Sequence, residues 1–173
     1  EILLARINKW YAYLSNLFIY DEILFKAKFG WSKEKVSFKD RLNLDFKKIK
    51  EGDSWGKKWE SSWFELTAEI PSKWKGKILA TNLDFSGEGL VYDIFGNEIQ
   101  GITNGSIWDP NFARTRVIIN ENLISNQKLI LWVEAAANSL FGIFTDPDVK
   151  SDSPKKHGWF DAKVEKMKFG IFD

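Results

Sequence analysis

The sequence predicts a mainly β chain, an antiparallel β-sandwich of the jelly-roll type with an N-terminal α-helix. Three observations carry this reading. From Trp63 onward the apolar residues recur at every second position in short runs. Turn residues such as Pro71 and Gly96-Asn97 separate the runs. No connection between them has the three-and-four spacing of a helix, which a parallel α/β sheet needs on its faces. At 173 residues the chain is long enough to bury a large core in one domain.

The elements are read in order. Leu3, Ile7, Trp10, Leu14 and Leu17 recur at helical spacing, so residues 1–22 form a helical lead-in. The period then drops to two. In "ILFKAKF", Ile23, Phe25, Ala27 and Phe29 alternate with Lys26 and Lys28, as in a half-buried strand. Residues 23–173 are therefore assigned to the sandwich. The stretch from Gly30 to Gly56 reads as short strands or irregular structure.

"SWFELTAEI" places Phe64, Leu66, Ala68 and Ile70 on one face and Glu65, Thr67 and Glu69 on the other. Pro71 ends it, because proline cannot donate to a ladder. "ILATNLDF" and "GLVYDIF" follow, and Gly96-Asn97 predicts a hairpin turn into "EIQGI". "TRVIIN" and "KLILWVEAAA" are two further strands across a polar link. In "WFDAKVEKMKFGIF" the apolar phase runs through Phe160, Ala162 and Val164, then resumes one position out of step at Met167, Phe169 and Ile171. A bulge near Lys166 is the expected cause. The whole fits a galactose-binding-like jelly roll.

Composition excludes several chemistries. There is no cysteine, hence no disulfide, thiolate metal site or cysteine nucleophile, and the compartment leans to the cytoplasm. No apolar run is long enough for a membrane span. A net charge of +1, with lysines dispersed among acids, argues against a nucleic-acid binder. The sole histidine, His157, lies in the charged stretch "TDPDVKSDSPKKHG", which suits a solvated loop better than an oriented catalytic base. The chain opens at Glu1 with no leader pattern, as an excised fragment would.

What remains are acids and aromatics. Asp84, Glu88, Asp93 and Glu134 sit on adjacent-looking strands, and glycoside hydrolysis needs two carboxyls across a sugar. Acids on the wet face of a sheet are the commoner case. Glu134 stands apart, inside an apolar run, where a carboxylate must find partners or stay protonated. Trp55, Trp59, Trp63 and Tyr92 are candidates for stacking on a pyranose; core or interface packing is the more frequent use of such rings. The segment from Lys26 to Lys50 mixes lysine with aromatics and leaves an adaptor role open.

"GDSWGKKWESSWFELTAEIP", "LDFSGEGLVYDIFGNEIQG" and "VEAAANSLFG", in that order, resemble the amino-terminal domain of glycoside hydrolase family 38 α-mannosidases of the cytosolic and vacuolar branch. "AKVEKMKFGIFD" is similar to that domain's last strand. The resemblance covers Gly52 to Asp173 and fits Glu1 to Glu51 only loosely.

It implies that this chain is a non-catalytic domain of a metal-dependent, retaining α-mannosidase. The aspartate nucleophile and a zinc- or cobalt-like divalent metal would sit in a later catalytic domain, and none of those residues maps here. The implied partners are that catalytic domain, mannose-containing glycans and other copies of the chain, with neither nucleic acid nor membrane. Gly87 and Gly89 then let Glu88 turn out toward a neighbouring domain or toward a sugar entrance, the former being favoured. Asn138 and Phe141, in the docking-loop segment through Gly142, are read the same way. A carbohydrate-binding module using exposed Trp or Tyr is the alternative.

Overall fold

Alternation sorts the apolar side chains onto two facing sheets. The computed structural model describes residues 2–15, 18–57, 59–103, 113–138 and 161–172. Helix α1 (Ile2–Ser15) leads into strands β1 (Ile19–Leu24), β2 (Lys26–Ser32), β3 (Phe46–Ile49), β4 (Ser54–Lys57) and β5 (Ser61–Glu69). Then come β6 (Leu79–Asp84), β7 (Glu88–Tyr92), β8 (Glu98–Thr103) and β9 (Arg116–Ile119). β10 (Ile124–Ser125), β11 (Lys128–Ala136), β12 (Asp161–Lys163) and β13 (Lys166–Phe172) complete the order.

The smaller sheet runs β1-β13-β6-β9. The larger, seven-stranded sheet runs β3-β2-β5-β11-β7-β8, with β10 folded onto β11. β4 and β12 pair separately. All these pairings are antiparallel, as the sequence predicts.

The core lies between the two sheets. Phe64 and Leu66 of β5, and Leu129, Leu131, Val133 and Ala135 of β11, are fully buried on one side. Leu83 of β6, Val117 of β9 and Met167 and Phe169 of β13 meet them from the other. The central pair β5–β11 is in register over nine residues, from Lys128 opposite Glu69 to Ala136 opposite Ser61. A slip of one residue would turn four buried side chains of β11 into solvent, so this register is strongly specified.

Four expectations need correction. "ILFKAKF" is not one strand. The chain leaves the small sheet after Leu24 and enters the large one at Lys26, with Phe25 buried at the crossing and its ring centroid 4.8 Å from that of Phe169, the rings tilted by 36°. The phase slip in the last segment is likewise a change of sheet. β12 pairs with β4, whereas β13 lies between β1 and β6. Alternation continues unbroken through the first crossing, so sequence pattern cannot show it, whereas the second leaves only the one-residue slip in phase.

The hairpin after β7 is wider than Gly96-Asn97. Gly96 N–H donates to the Asp93 carbonyl, Gly96 takes φ +90°, and Asp93 N–H donates to the Asn97 carbonyl. That is a turn over Ile94-Phe95 with a glycine bulge. The polar link before β11 conceals another hairpin, β10–β11, turned by Asn126 and Gln127 at φ +51° and +60°.

Helix α1 forms, and the described side chains of its apolar stripe are largely exposed. Leu3, Ile7 and Trp10 are 71%, 53% and 64% exposed. The side chains of Leu14 and Leu17 lie outside the described ones. No helix among the described residues is long and apolar enough to cross a membrane.

Candidate functional site

The outer face of the large sheet carries the residues that the core does not use. Because Phe64, Val133 and Val91 point inward, their neighbours point out. Trp63, Glu134 and Leu90 form one row across β5, β11 and β7. Glu65, Trp132 and Tyr92 form the next.

A strap, residues 33–45 between β2 and β3, folds over these rows. Trp63 Nε1 donates to the Val36 carbonyl at 2.8 Å. The Phe38 ring lies 5.7 Å from Trp63 and 5.5 Å from Tyr92. Arg41 sits 3.5 Å over Phe38 and 4.2 Å over Trp132, and donates to the Phe38 carbonyl. Burial lowers the Arg41 pKa, and Glu65 opposes the shift. The guanidinium stays charged at neutral pH. Its Nε has no hydrogen-bond partner among the described residues.

Glu134 is held at the strap's edge. The Tyr92 hydroxyl donates to it at 3.3 Å, and Lys35 Nζ stands 3.9 Å away. Burial first, and the Glu134 charge and hydrogen bond next, push the Tyr92 phenol up to about 12. A carboxylate in an apolar run has thus found partners.

The aromatic candidates separate. Trp55, Trp63 and Tyr92 do not offer exposed rings. They are 3%, 2% and 8% exposed, Trp55 in the core and the other two beneath the strap. Trp55 Nε1 donates to the Phe85 carbonyl at 3.0 Å, and its ring meets Phe64 edge-on. Trp59 is the one of the four at the surface, 53% exposed at φ +72°.

Three of the sequence-predicted residues gather at one end of the large sheet. Trp59 N–H donates to the Ala137 carbonyl, placing it beside the end of β11. Asn138 follows, and it pairs with Glu88 twice. Asn138 Nδ2 donates to Glu88 Oε2 at 2.6 Å, and Glu88 N–H donates to Asn138 Oδ1 at 3.1 Å. Gly87 is required by contact rather than by torsion: a Cβ there would lie 2.3 Å from the Ala136 carbonyl oxygen. Gly89 has Val133 and Ile102 at 3.2 and 3.1 Å from the same position. Ser139, Leu140, Phe141, Gly142 and His157 lie outside the described residues.

The other acids are engaged locally. Burial would raise the Asp93 pKa, but donors from Asn97, Phe95 and Gly96 more than offset it and hold the carboxyl low. Asp84 moves the other way. Burial raises it and Glu165 adds to this, against the Ser86 N–H and Lys166. Among the described residues, no three of His, Cys, Asp or Glu converge as a metal site requires.

Sequence reading missed Arg41, Lys35 and Trp132. Trp132 had a signal, since it shares parity with Glu134 in "LILWVEAA". Arg41 had none, since the strap has no period.

Residues 24–164 match the family described as "Alpha-mannosidase, jelly roll domain". The chain belongs to this family. Its relatives agree. Alpha-mannosidase G of Dictyostelium discoideum is 30% identical over 131 residues, covering 76% of this chain and 12% of that protein. Alpha-mannosidase 2C1 of Homo sapiens is 28% identical over 125 residues, covering 71% and 11%. The α-mannosidase jelly-roll domain thus spans about an eighth of these relatives' length. Among solved structures, a Ruminococcus gnavus β-glucuronidase shares the fold, with TM-score 0.52 and 15% identity over 84% of this chain and 24% of that one.

Proposed function

We propose that this chain is the non-catalytic N-terminal jelly-roll domain of a cytoplasmic, metal-dependent, retaining α-mannosidase. Its work is to pack against the catalytic part of the same polypeptide and to shape assembly and substrate access. The nucleophile and the divalent metal belong to residues outside this chain. The observation that carries the reading is the state of three of the four candidate acids: Glu134 is bound to Tyr92 and Lys35, Glu88 to Asn138, and Asp93 to its own turn. Each is committed to a structural contact rather than left facing a second acid across a gap.

Two surfaces suit the packing role. One is the exposed Leu3 and Ile7 face of α1, and the other is the sheet end with Trp59, Glu88 and Asn138. Interfaces between domains of one chain are more polar than cores, which fits the second.

The test is turnover of a nitrophenyl α-mannoside with added zinc or cobalt. The expected result is hydrolysis by a polypeptide that includes the catalytic part and none above blank by residues 1–173. Hydrolysis by the 173-residue chain, abolished by Glu134→Gln, would replace this reading with a catalytic one.

A further inference from the structure

Beyond the strap, the outer face of the large sheet changes character. Lys26, Lys28, Lys48, Lys50 and Lys128 line a groove of about 670 Å³. Asp53 and Glu65 are its carboxylates, so the groove holds an excess of three positive charges, in a chain whose net charge is +1. Among the described residues, only Lys28 of the five has a carboxylate within ion-pair distance, Glu65 at 3.7 Å. Lys128 stands opposite Glu69 across the β5–β11 ladder.

The ladder shows that this charge is concentrated against local stability. Lys28 lies directly opposite Lys48 in the β2–β3 pairing. Like charges in that relation destabilise a sheet. Lys26 and Lys50 extend the same two segments by one side-chain repeat. On β5, the other neighbour of β2, Lys28 faces Glu65 and Lys26 faces Thr67, so among the described residues Lys26 and Lys48 have no acid on a facing strand. An anion that joins them would relieve the repulsion.

We propose that this groove binds a hexose carrying a phosphomonoester; the choice of mannose as the hexose rests on the α-mannosidase reading. Size and chemistry select that class. The volume is that of a small-molecule site, commonly about 300–1,000 Å³, rather than of a flat protein interface. The cations are all lysines. Ammonium groups act as point charges suited to phosphate, whereas a planar carboxylate is better matched by an arginine fork. The Glu65 and Asp53 carboxylates supply acceptors for sugar hydroxyls beside the anion.

Backbone amide shifts of the 173-residue chain, followed by NMR with mannose 6-phosphate, test this. Saturable shifts centred on Lys26, Lys28, Lys48 and Thr67, lost at high salt, are expected. Lys48→Gln removes the like-charge pair, so it is expected to fold at least as stably as the parent while losing about tenfold in affinity. Glucose 6-phosphate binding equally well keeps the groove as a hexose-phosphate site and overturns only the choice of mannose. Inorganic phosphate binding as tightly as the sugar phosphates overturns the proposal, as does an acidic peptide that binds where the sugar phosphates do not. No shift at these residues at low salt also overturns it, and leaves the mannosidase reading to its own turnover test.

Discussion

Glu88 and Asn138, fifty residues apart in sequence, satisfy each other through side chain and main chain at once. The Asn138 amide oxygen takes the Glu88 N–H, and its amide nitrogen serves the Glu88 carboxylate. This joins the start of β7 to the exit of β11, the two strands already in register at Ala136–Glu88. A double-mutant cycle with Glu88→Ala and Asn138→Ala should show coupling of about 0.5–1.5 kcal/mol by urea unfolding, since both groups are near the surface. Additive losses would mean that the pair does not stabilise the sheet end.

Gly87 makes that clasp possible by coming too close to β11 for a side chain. With the Ala136 carbonyl oxygen 2.3 Å from a built Cβ, Gly87→Ala must move backbone rather than a flexible tip. A loss of about 1–3 kcal/mol is expected, comparable to overpacking a core. Gly101, whose built Cβ has only the Gly89 carbonyl oxygen at 4.0 Å, is the control. Gly101→Ala should cost less in the same denaturation measurement.

These contacts show where the sequence could be read and where it could not. The inward rows Phe64-Leu66-Ala68 and Leu129-Leu131-Val133 are legible because side-chain parity is a property of each strand by itself. The crossing at Phe25 is not, because parity survives a change of sheet. Trp63 and Tyr92 read as surface candidates because their own strands place them outward. Only the aperiodic strap, through Phe38 and Arg41, buries them. The lysine groove combines β2, β3 and β11, and its charges are ordinary in each strand taken alone.

The Tyr92–Glu134 contact gives a pH prediction. The phenol is raised from 10.0 to about 12 in the folded state. A raised pKa favours the protonated folded form. Its contribution is therefore complete below pH 10, and it is lost as pH rises toward 12. Unfolding midpoints measured from pH 9 upward should fall less steeply for Tyr92→Phe than for the parent. A spectroscopic titration should show a phenol component ionising near 12, and that component should vanish in the variant. A titration unchanged by Tyr92→Phe in that range would contradict the contact.

The strap can be tested through Trp63. Trp63→Phe keeps a ring under Phe38 but removes the donor to Val36. The loss should be about 0.5–1.5 kcal/mol. More specifically, amide exchange should quicken across residues 33–45 while the β5–β11 ladder stays protected, since low-stability segments open separately from the core. Exchange that rises equally in both would show that strap and sheet open together.

Asp84 and Asp93 carry opposite signs at acid pH. Burial, with Glu165 nearby, raises Asp84 above its ordinary 3.8. The stability linked to its proton is present below 3.8 and is lost as pH rises through the higher folded value. Asp84→Asn keeps an oxygen for the Ser86 N–H and removes the charge, so it should raise the melting temperature at pH 7. The gain should shrink as the parent's carboxyl protonates. Asp93 is held low by its turn donors, so its contribution is present above 3.8 and is lost as pH falls through the lower folded value. Asp93→Asn should lower the melting temperature at pH 7 and converge with the parent in strong acid. Melting curves of both variants across pH 2–7 separate the two effects, and shifts of the same sign at pH 7 would refute one of the two assignments.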